Sequence, residues 1–367
     1  MKGNKFCAAV LAAAIGLGVM TGTPGTEAAT REEIAQISVD SDGSDFRYWN
    51  EDAASFLALT RYVEDVTDPE SGHFIPVEDR VAVFDMDGTF LCETAPYYLD
   101  HMLFLERTLH DPKYTPSKDD KDFAMSLAQW LEHKDSSDNL GSSAPHQSSV
   151  FVGTTFPEYE AYAKRFFEKP VEGLSPLKWG EAFYLPMIEV MKYLQANEFQ
   201  IYVVSGTERI LSRILVSDLL DIPKDHIIGT DIEIRAAHQG ETDGLKYTYQ
   251  SDDYLVRGGF VIKNLKMNKV SAIAREIGRQ PVLAFGNSSG DSAMLNYTIN
   301  GNKYRSAAFF ILCDDLEREL GNLDKAAKCK KLADENGWIP VSMRDDFATI
   351  YGDNVTRTVK QRENKSN

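Results

Sequence analysis

The sequence predicts an α/β fold: a doubly wound parallel sheet into which a mostly helical module is inserted. Three observations lead there. Short apolar runs at residues 81–84, 201–204, 282–285 and 307–312 each end in a polar or glycine-rich turn, as strands buried on both faces do. Helical spacing alternates with them: Met187, Met191 and Leu194 share a face after Pro186, and Val270, Ile273, Ala274 and Ile277 share one before Gly278. Strand–helix–strand alternation gives parallel pairing. Finally, the stretch between Asp85 and Ser205 is far longer than one crossover helix needs, so residues 92–179 read as an insertion.

Each element follows in chain order. Lys2 and Lys5 precede an apolar segment at residues 7–20, and small residues follow at Thr26 and Ala28. That is the pattern of a signal peptide over residues 1–28, cleaved near Ala28, and it predicts a bacterial periplasmic or secreted protein. An uncleaved N-terminal anchor is the alternative. Removing residues 1–28 takes away two lysines and one glutamate, making the formal charge of −17 one unit more negative. So acidic a surface repels nucleic acid and anionic membranes, and no later segment is apolar for long enough to span a bilayer. Cys92, Cys313 and Cys329 remain, an odd number that reads as thiols, with pairing of Cys313 and Cys329 left open.

Residues 29–79 form a helical extension, with helical apolar spacing over 53–66 that is broken at 68–72. Residues 80–91 and 180–350 form the core. Inside the insertion, residues 97–109, 119–132 and 157–168 read as helices, and the serine-rich stretch 136–149 reads as a loop. Asp243-Gly244 reads as a hairpin turn between 232–234 and 247–249. Residues 351–367 are a tail, frayed from Lys360 onward.

The chemistry gathers at strand ends. Val81-Ala-Val-Phe-Asp85-Met-Asp87-Gly88-Thr89 places two carboxylates where a parallel sheet collects its ligands. Side by side they repel, and a cation or a shared proton must neutralise them. Ser205-Gly206-Thr207 follows the second run; a hydroxyl and glycine at a helix start suit a phosphoryl oxygen, or serve as an ordinary cap. Lys269, at the opening of a helix, is placed to reach a phosphate, although Lys263 and Lys266 stand nearby and any one of them alone reads as solvated. Gly286-Asn287-Ser-Ser-Gly-Asp291 closes the third run. Asp291 there suits a metal, while Asn287 is either an uncharged ligand or a turn residue. Asp314-Asp315 reads as a helix-capping pair.

Taken in order, these four stretches resemble motifs I to IV of the haloacid dehalogenase (HAD) superfamily, over residues 80–295. The usual fourth motif, GDxxxD, here has Asn287 in place of its first aspartate. The resemblance implies a Rossmann-like core and a helical cap, and it implies Mg²⁺ held by Asp85, Asp87, Asn287 and Asp291. It also implies a phosphate bound by Gly88, Thr89, Ser205, Gly206 and Lys269. Asp85 is then the nucleophile that becomes an aspartyl-phosphate, and Asp87 the general acid and base, with Ser205 and Lys269 completing the catalytic set. Among HAD enzymes the chain looks most like exported phosphoserine phosphatase-type and phosphorylcholine phosphatase-type members. Glu93, Tyr97, Tyr98 and His101 are candidates to face a substrate or else pack within a cap helix, and Arg209 and Arg213 either offset the acidic surface or form surface ion pairs. The expected function is Mg²⁺-dependent hydrolysis of a small phosphorylated metabolite. Phosphotransfer at the same site, and binding of a phosphorylated ligand without turnover, are the alternatives.

Overall fold

The structure, a computed structural model, describes residues 28–93, 98–133 and 142–358. The signal-peptide expectation for 1–27, Tyr97, the start of the serine-rich stretch and the tail from 359 lie outside the described residues.

The strands are β1 (Val81–Phe84), β2 (Leu174–Ser175), β3 (Gln200–Glu208), β4 (Ile227–Ala236), β5 (Leu255–Ile262), β6 (Leu283–Gly286), β7 (Ala307–Leu312), β8 (Ile339–Ser342) and β9 (Thr356–Arg357). Seven of them make one sheet in the order β5-β4-β3-β1-β6-β7-β8, parallel throughout except for the antiparallel β4–β5 edge. The chain leaves β1 toward β3 on one side and later returns to β6 on the other. The carboxyl end of β1 is therefore a switch point, where the flanking loops diverge and leave a crevice.

Alternation along β1 explains its uniformly apolar sequence. Val81 and Val83 enter one core cluster with Tyr202, Val204 and Phe310, while Ala82 and Phe84 enter the other with Phe285 and Phe309. Side chains of a strand alternate between faces, so a strand covered on both sides has no polar position to offer. On the second face Phe84 stacks on Phe285 at 4.2 Å, and Phe285 on Phe309 at 5.1 Å. The N-terminal extension joins this core: the Ala54–Thr67 helix buries Phe56, Leu59, Tyr62, Val63 and Val66. Its Tyr62 hydroxyl donates to the Val282 carbonyl at the root of β6 (3.0 Å).

Helices Leu99–Leu105, Lys118–His133, Ala144–Ser149 and Phe156–Phe167 occupy the insertion. Residues 144–149 are thus helical rather than loop; Pro145 falls in the first turn, where its missing N–H costs nothing. The β4–β5 hairpin exists, but its return strand is β5 and not residues 247–249. Asp243 instead accepts from Leu245 N and caps a short helical turn, Gly244–Lys246. Asp314 and Asp315 cap no helix. Asp315 accepts from Glu317 N, Arg318 N and the Arg318 guanidinium, and Asp314 from Ser342 Oγ and Arg344 N. Cys92, Cys313 and Cys329 are thiols. Tyr351 is buried and β9 pairs antiparallel with β2, so the tail through 358 belongs to the fold. Among the described residues no helix is long and apolar enough to cross a membrane.

Arg257 of β5 ties the insertion to the sheet. It is 1% exposed, forks onto both oxygens of Glu208 on β3 (2.6 and 2.5 Å) and lies 3.6 Å over the Tyr159 ring. Its backbone exchanges hydrogen bonds with Gly153 and Thr154 of the insertion (2.8 and 2.9 Å). Removing one partner of such a pair strands a buried charge. Glu208→Ala is therefore expected to lower the unfolding free energy in urea by about 3–5 kcal/mol; a loss below about 1 kcal/mol, the range of exposed pairs, would refute this role.

Candidate active site

After β1 the backbone makes a tight turn. The Met86 carbonyl accepts from Thr89, Phe90 and Leu91 N (3.1, 3.1 and 3.0 Å), and Gly88 N donates to the Leu91 carbonyl (2.6 Å). Gly88 sits at φ +77°, a conformation that L side chains rarely adopt. Space forbids a side chain as well: a Cβ would lie 2.0 Å from Asn287 Nδ2 and 2.4 Å from Glu93 Oε2. The turn thus holds Asp85 and Asp87 in place and lets two polar side chains approach the backbone closely.

Lys269 unites three strands. Fully buried, its ammonium donates to Asp85 Oδ1 (2.6 Å) after β1 and to the Val204 carbonyl (2.5 Å) in β3. It also lies 2.8 Å from Asp291 Oδ1, beyond β6. Burial alone would lower its pKa, but the charges of Asp291 and Asp85 outweigh that and hold it above the ordinary lysine value. For Asp85, burial and the neighbouring Asp291 outweigh Lys269 and push the carboxyl up to about 7. Asp87 goes further, to about 8, through burial and the charges of Asp100, Asp85 and Glu93, opposed by a hydrogen bond from Thr207. That bond, Thr207 Oγ1 to Asp87 Oδ2, is 2.7 Å long. Asp87 Oδ1 is buried with no hydrogen-bond partner among the described residues, as suits a carboxyl that keeps its proton or awaits a ligand.

A cavity of about 410 Å³ opens above these groups, lined by Asp85, Asp87, Gly206, Asn287 and Asp291 among others. Ser205 and Lys269 lie beneath it, fully buried. The second motif differs from its expected form, because β3 continues through Ser205 and Gly206 to Glu208 and the next helix starts only at Arg209. Ser205 Oγ accepts from Thr207 N (3.0 Å), and it is Thr207 and not Ser205 whose hydroxyl reaches the acidic pair. Thr89 is buried with its hydroxyl unpartnered among the described residues. Arg209 pairs with Asp231 and Glu276 and does not line the cavity.

Of the candidates soon after Thr89, Glu93, Tyr98 and His101 do line the cavity. Thr207, Asp100 and Lys325 also belong to the site, and no sequence motif assigns them a role. Asp100 lies 3.6 Å from Lys263, and Lys325 Nζ donates to Glu93 Oε1 at 2.5 Å. For Thr207 a signal was available: in a strand it shares a face with Ser205.

The donors suit a hard cation such as Mg²⁺. They are carboxylate, amide and main-chain oxygens, with no thiolate or imidazole among them. Among the described residues no three His, Cys, Asp or Glu side chains converge to hold an ion alone, so the set needs the Asn287 amide and a carbonyl such as that of Asp87. Asp291 already meets four donors: Lys269 at Oδ1, and Asn287 N, Ser288 N and Ser288 Oγ at Oδ2. Asn287 is freer. Its Nδ2 donates to Glu93 Oε2 (2.5 Å), and its oxygen accepts nothing among the described residues.

The sequence profile of the haloacid dehalogenase-like hydrolases matches residues 82–296. Similar solved structures include a conserved protein of unknown function from Anaerococcus prevotii DSM 20548, 15% identical with a TM-score of 0.47 over 83% of this chain and 96% of that one. Another is a phosphoserine phosphohydrolase-like protein from Francisella tularensis subsp. tularensis SCHU S4, 14% identical with a TM-score of 0.37 over 71% and 94%. A cytosolic 5'-nucleotidase IIIB bound to cytidine is 12% identical with a TM-score of 0.44 over 80% and 86%. No curated protein matches the sequence.

The turn makes a sharp prediction. Gly88→Ala is expected to cost about 1–3 kcal/mol of stability from the positive φ alone and to push Asn287 and Glu93 out of place. A variant with the parental melting curve and the parental turnover would contradict the packing described.

Proposed function

The chain belongs to the haloacid dehalogenase-like hydrolase family, and we propose that it is a Mg²⁺-dependent phosphatase that hydrolyses a small phosphorylated metabolite through a phosphorylated Asp85. One observation carries the reading: two carboxylates two residues apart, both raised by burial, differ in their partners. Asp85, pushed up to about 7, touches the Lys269 ammonium at 2.6 Å, whereas Asp87, pushed further to about 8, touches no cation among the described residues and has an unpartnered oxygen. Environments that split a carboxylate pair in this way assign one member as nucleophile and the other as acid.

In the first step a carboxylate oxygen of Asp85 attacks phosphorus and the ester P–O bond breaks. The electron pair leaves with the alcohol oxygen, which takes the proton of Asp87. In the second step Asp87 receives a proton from water as that water attacks the phosphoryl group, releasing inorganic phosphate and restoring Asp85. Lys269 counters the charge gathered on the phosphoryl oxygens. Held by Asp85, the Asp87 carbonyl, Asn287 and Asp291, Mg²⁺ would neutralise part of the repulsion between anionic enzyme and anionic ester. Residues 92–179 act as the cap: Tyr98, His101 and Ser143 line the cavity from that side, well placed to exclude water and contact the leaving group. The acidic pair argues against a protein that only binds its ligand, since binding a phosphate ester gains nothing from a second buried carboxylate, whereas proton transfer to the leaving group requires one. The signal-peptide-like pattern of residues 1–28 supports an exported setting.

Asp85→Asn is expected to reduce hydrolysis of p-nitrophenyl phosphate by more than about 10³-fold. The variant should remain folded, because an amide has the shape of the carboxylate it replaces and Asp291 and the Val204 carbonyl still hold the Lys269 ammonium. Retained turnover would rule out the covalent scheme, and phosphoryl transfer to added glycerol in preference to water would rule out hydrolysis. Because Asp87 must be protonated to serve the leaving group, kcat/KM for an alkyl phosphate should fall as pH rises through about 8. The same limb should be weak with p-nitrophenyl phosphate, whose leaving oxygen needs little help; equal limbs for both substrates would remove Asp87 from that role.

A further inference from the structure

Asn287 is where the chain departs from its family's acidic pattern, and the structure offers a reason. The amide does not stand alone in the cavity wall. Its Nδ2 donates to Glu93 Oε2 at 2.5 Å, while Glu93 Oε1 accepts from Lys325 Nζ at 2.5 Å and from the Tyr98 hydroxyl at 2.9 Å. Glu93 is 5% exposed, and Gly88 leaves the room in which the two side chains meet. Lys325 belongs to the Leu323–Asn336 helix, beyond the segment 82–296 that the family profile matches.

An asparagine amide is symmetric in shape and asymmetric in chemistry: one end donates and the other accepts. An ionised glutamate can only accept. Turned around, Asn287 would press its oxygen against Glu93, two acceptors at hydrogen-bonding distance. The orientation seen keeps the nitrogen on Glu93 and leaves the oxygen as the atom available to a cation. We infer that Glu93, braced by Lys325, is a positioning residue that fixes the Asn287 amide with its oxygen free for the metal, and that it carries the negative charge that the family pattern places at position 287. The inference rests on the proposed cation-dependent reading of the site. It also explains why aspartate is absent at 287, where a carboxylate would face that of Glu93.

The polarity of the pair can be exchanged. In Asn287→Asp alone two carboxylates meet, and the melting midpoint without Mg²⁺ should fall. In Glu93→Gln alone either amide orientation finds a partner, and Mg²⁺ affinity measured by titration calorimetry should weaken about 10-fold or more, as for other groups that orient a metal ligand. The double variant Glu93→Gln/Asn287→Asp rebuilds the hydrogen bond with donor and acceptor swapped. Its Mg²⁺ affinity should return to near the parental value and its melting midpoint should recover, a coupling that independent effects cannot produce. Parental affinity in Glu93→Gln, or a double variant as impaired as the two single changes combined, would overturn the inference. Should Glu93→Gln fold poorly, Lys325→Met leaves Glu93 in place and is expected to weaken Mg²⁺ binding in the same direction; unaltered binding there would count against the brace. A parental protein that binds no Mg²⁺ at all would instead defeat the cation-dependent reading itself, and this inference with it.

Discussion

The Lys269 ammonium, closed off from solvent, lies against Asp85, Asp291 and the Val204 carbonyl. Asp85 and Asp291 follow β1 and β6, and Val204 lies within β3, so one side chain ties together the strands on both sides of the switch point. A buried ion without a partner costs several kcal/mol. A lysine here is stable only because two carboxylates surround it, and the carboxylates approach one another only because the lysine lies between them. Three further acidic groups in the cavity have partners of their own: Glu93 has Lys325, Asp100 has Lys263, and Asp87 has the Thr207 hydroxyl. An acidic chain thereby concentrates cations at one place, which a site for phosphate esters requires.

The scaffold makes that arrangement rigid. Strands β1 and β6 are buried along their whole length, and the Phe84–Phe285–Phe309 stack braces their undersides. The loops above inherit fixed starting points, and the Met86 carbonyl gathers the turn that follows β1. On the other side the insertion is not loosely tethered. Arg257 and Glu208 clasp β5 to β3 beneath Tyr159, so the segment that contributes Tyr98, His101 and Ser143 to the cavity rests on the sheet.

Much of this is legible in the sequence because it is local. A run such as 81–84 followed by Asp85, Asp87 and Gly88 carries strand, site and turn within a few residues, and periodicity in 187–194 and 270–277 suffices for two helices. The doubly wound sheet and its inserted helices follow from alternation and from the length of chain between Asp85 and Ser205, whereas the strand order is seen only in the structure. Other features are decided elsewhere. Whether β3 stops at Val204 or runs to Glu208 depends on pairing with β4, where Glu208 lies opposite Thr230. As a result, the hydroxyl at the acidic pair belongs to Thr207. Lys325 is invisible to any local pattern: it stands 232 residues from Glu93, on a helix that carries several other lysines. The return strand of the hairpin lies later than the sequence suggests, because Asp243 serves as a cap as readily as a turn, and Tyr247 and Tyr249 use their hydroxyls on Asp253 instead of entering the sheet.

At the centre stands the claim that Asp85 itself becomes phosphorylated. The direct measurement is mass spectrometry of the protein quenched in acid during turnover of a phosphomonoester with Mg²⁺. The account predicts one added phosphoryl group, confined to the peptide that carries Asp85 and lost on treatment with hydroxylamine. A phosphoryl group on any other residue, or brisk turnover with the Asp85 peptide unmodified under conditions that preserve acyl phosphates, would contradict it.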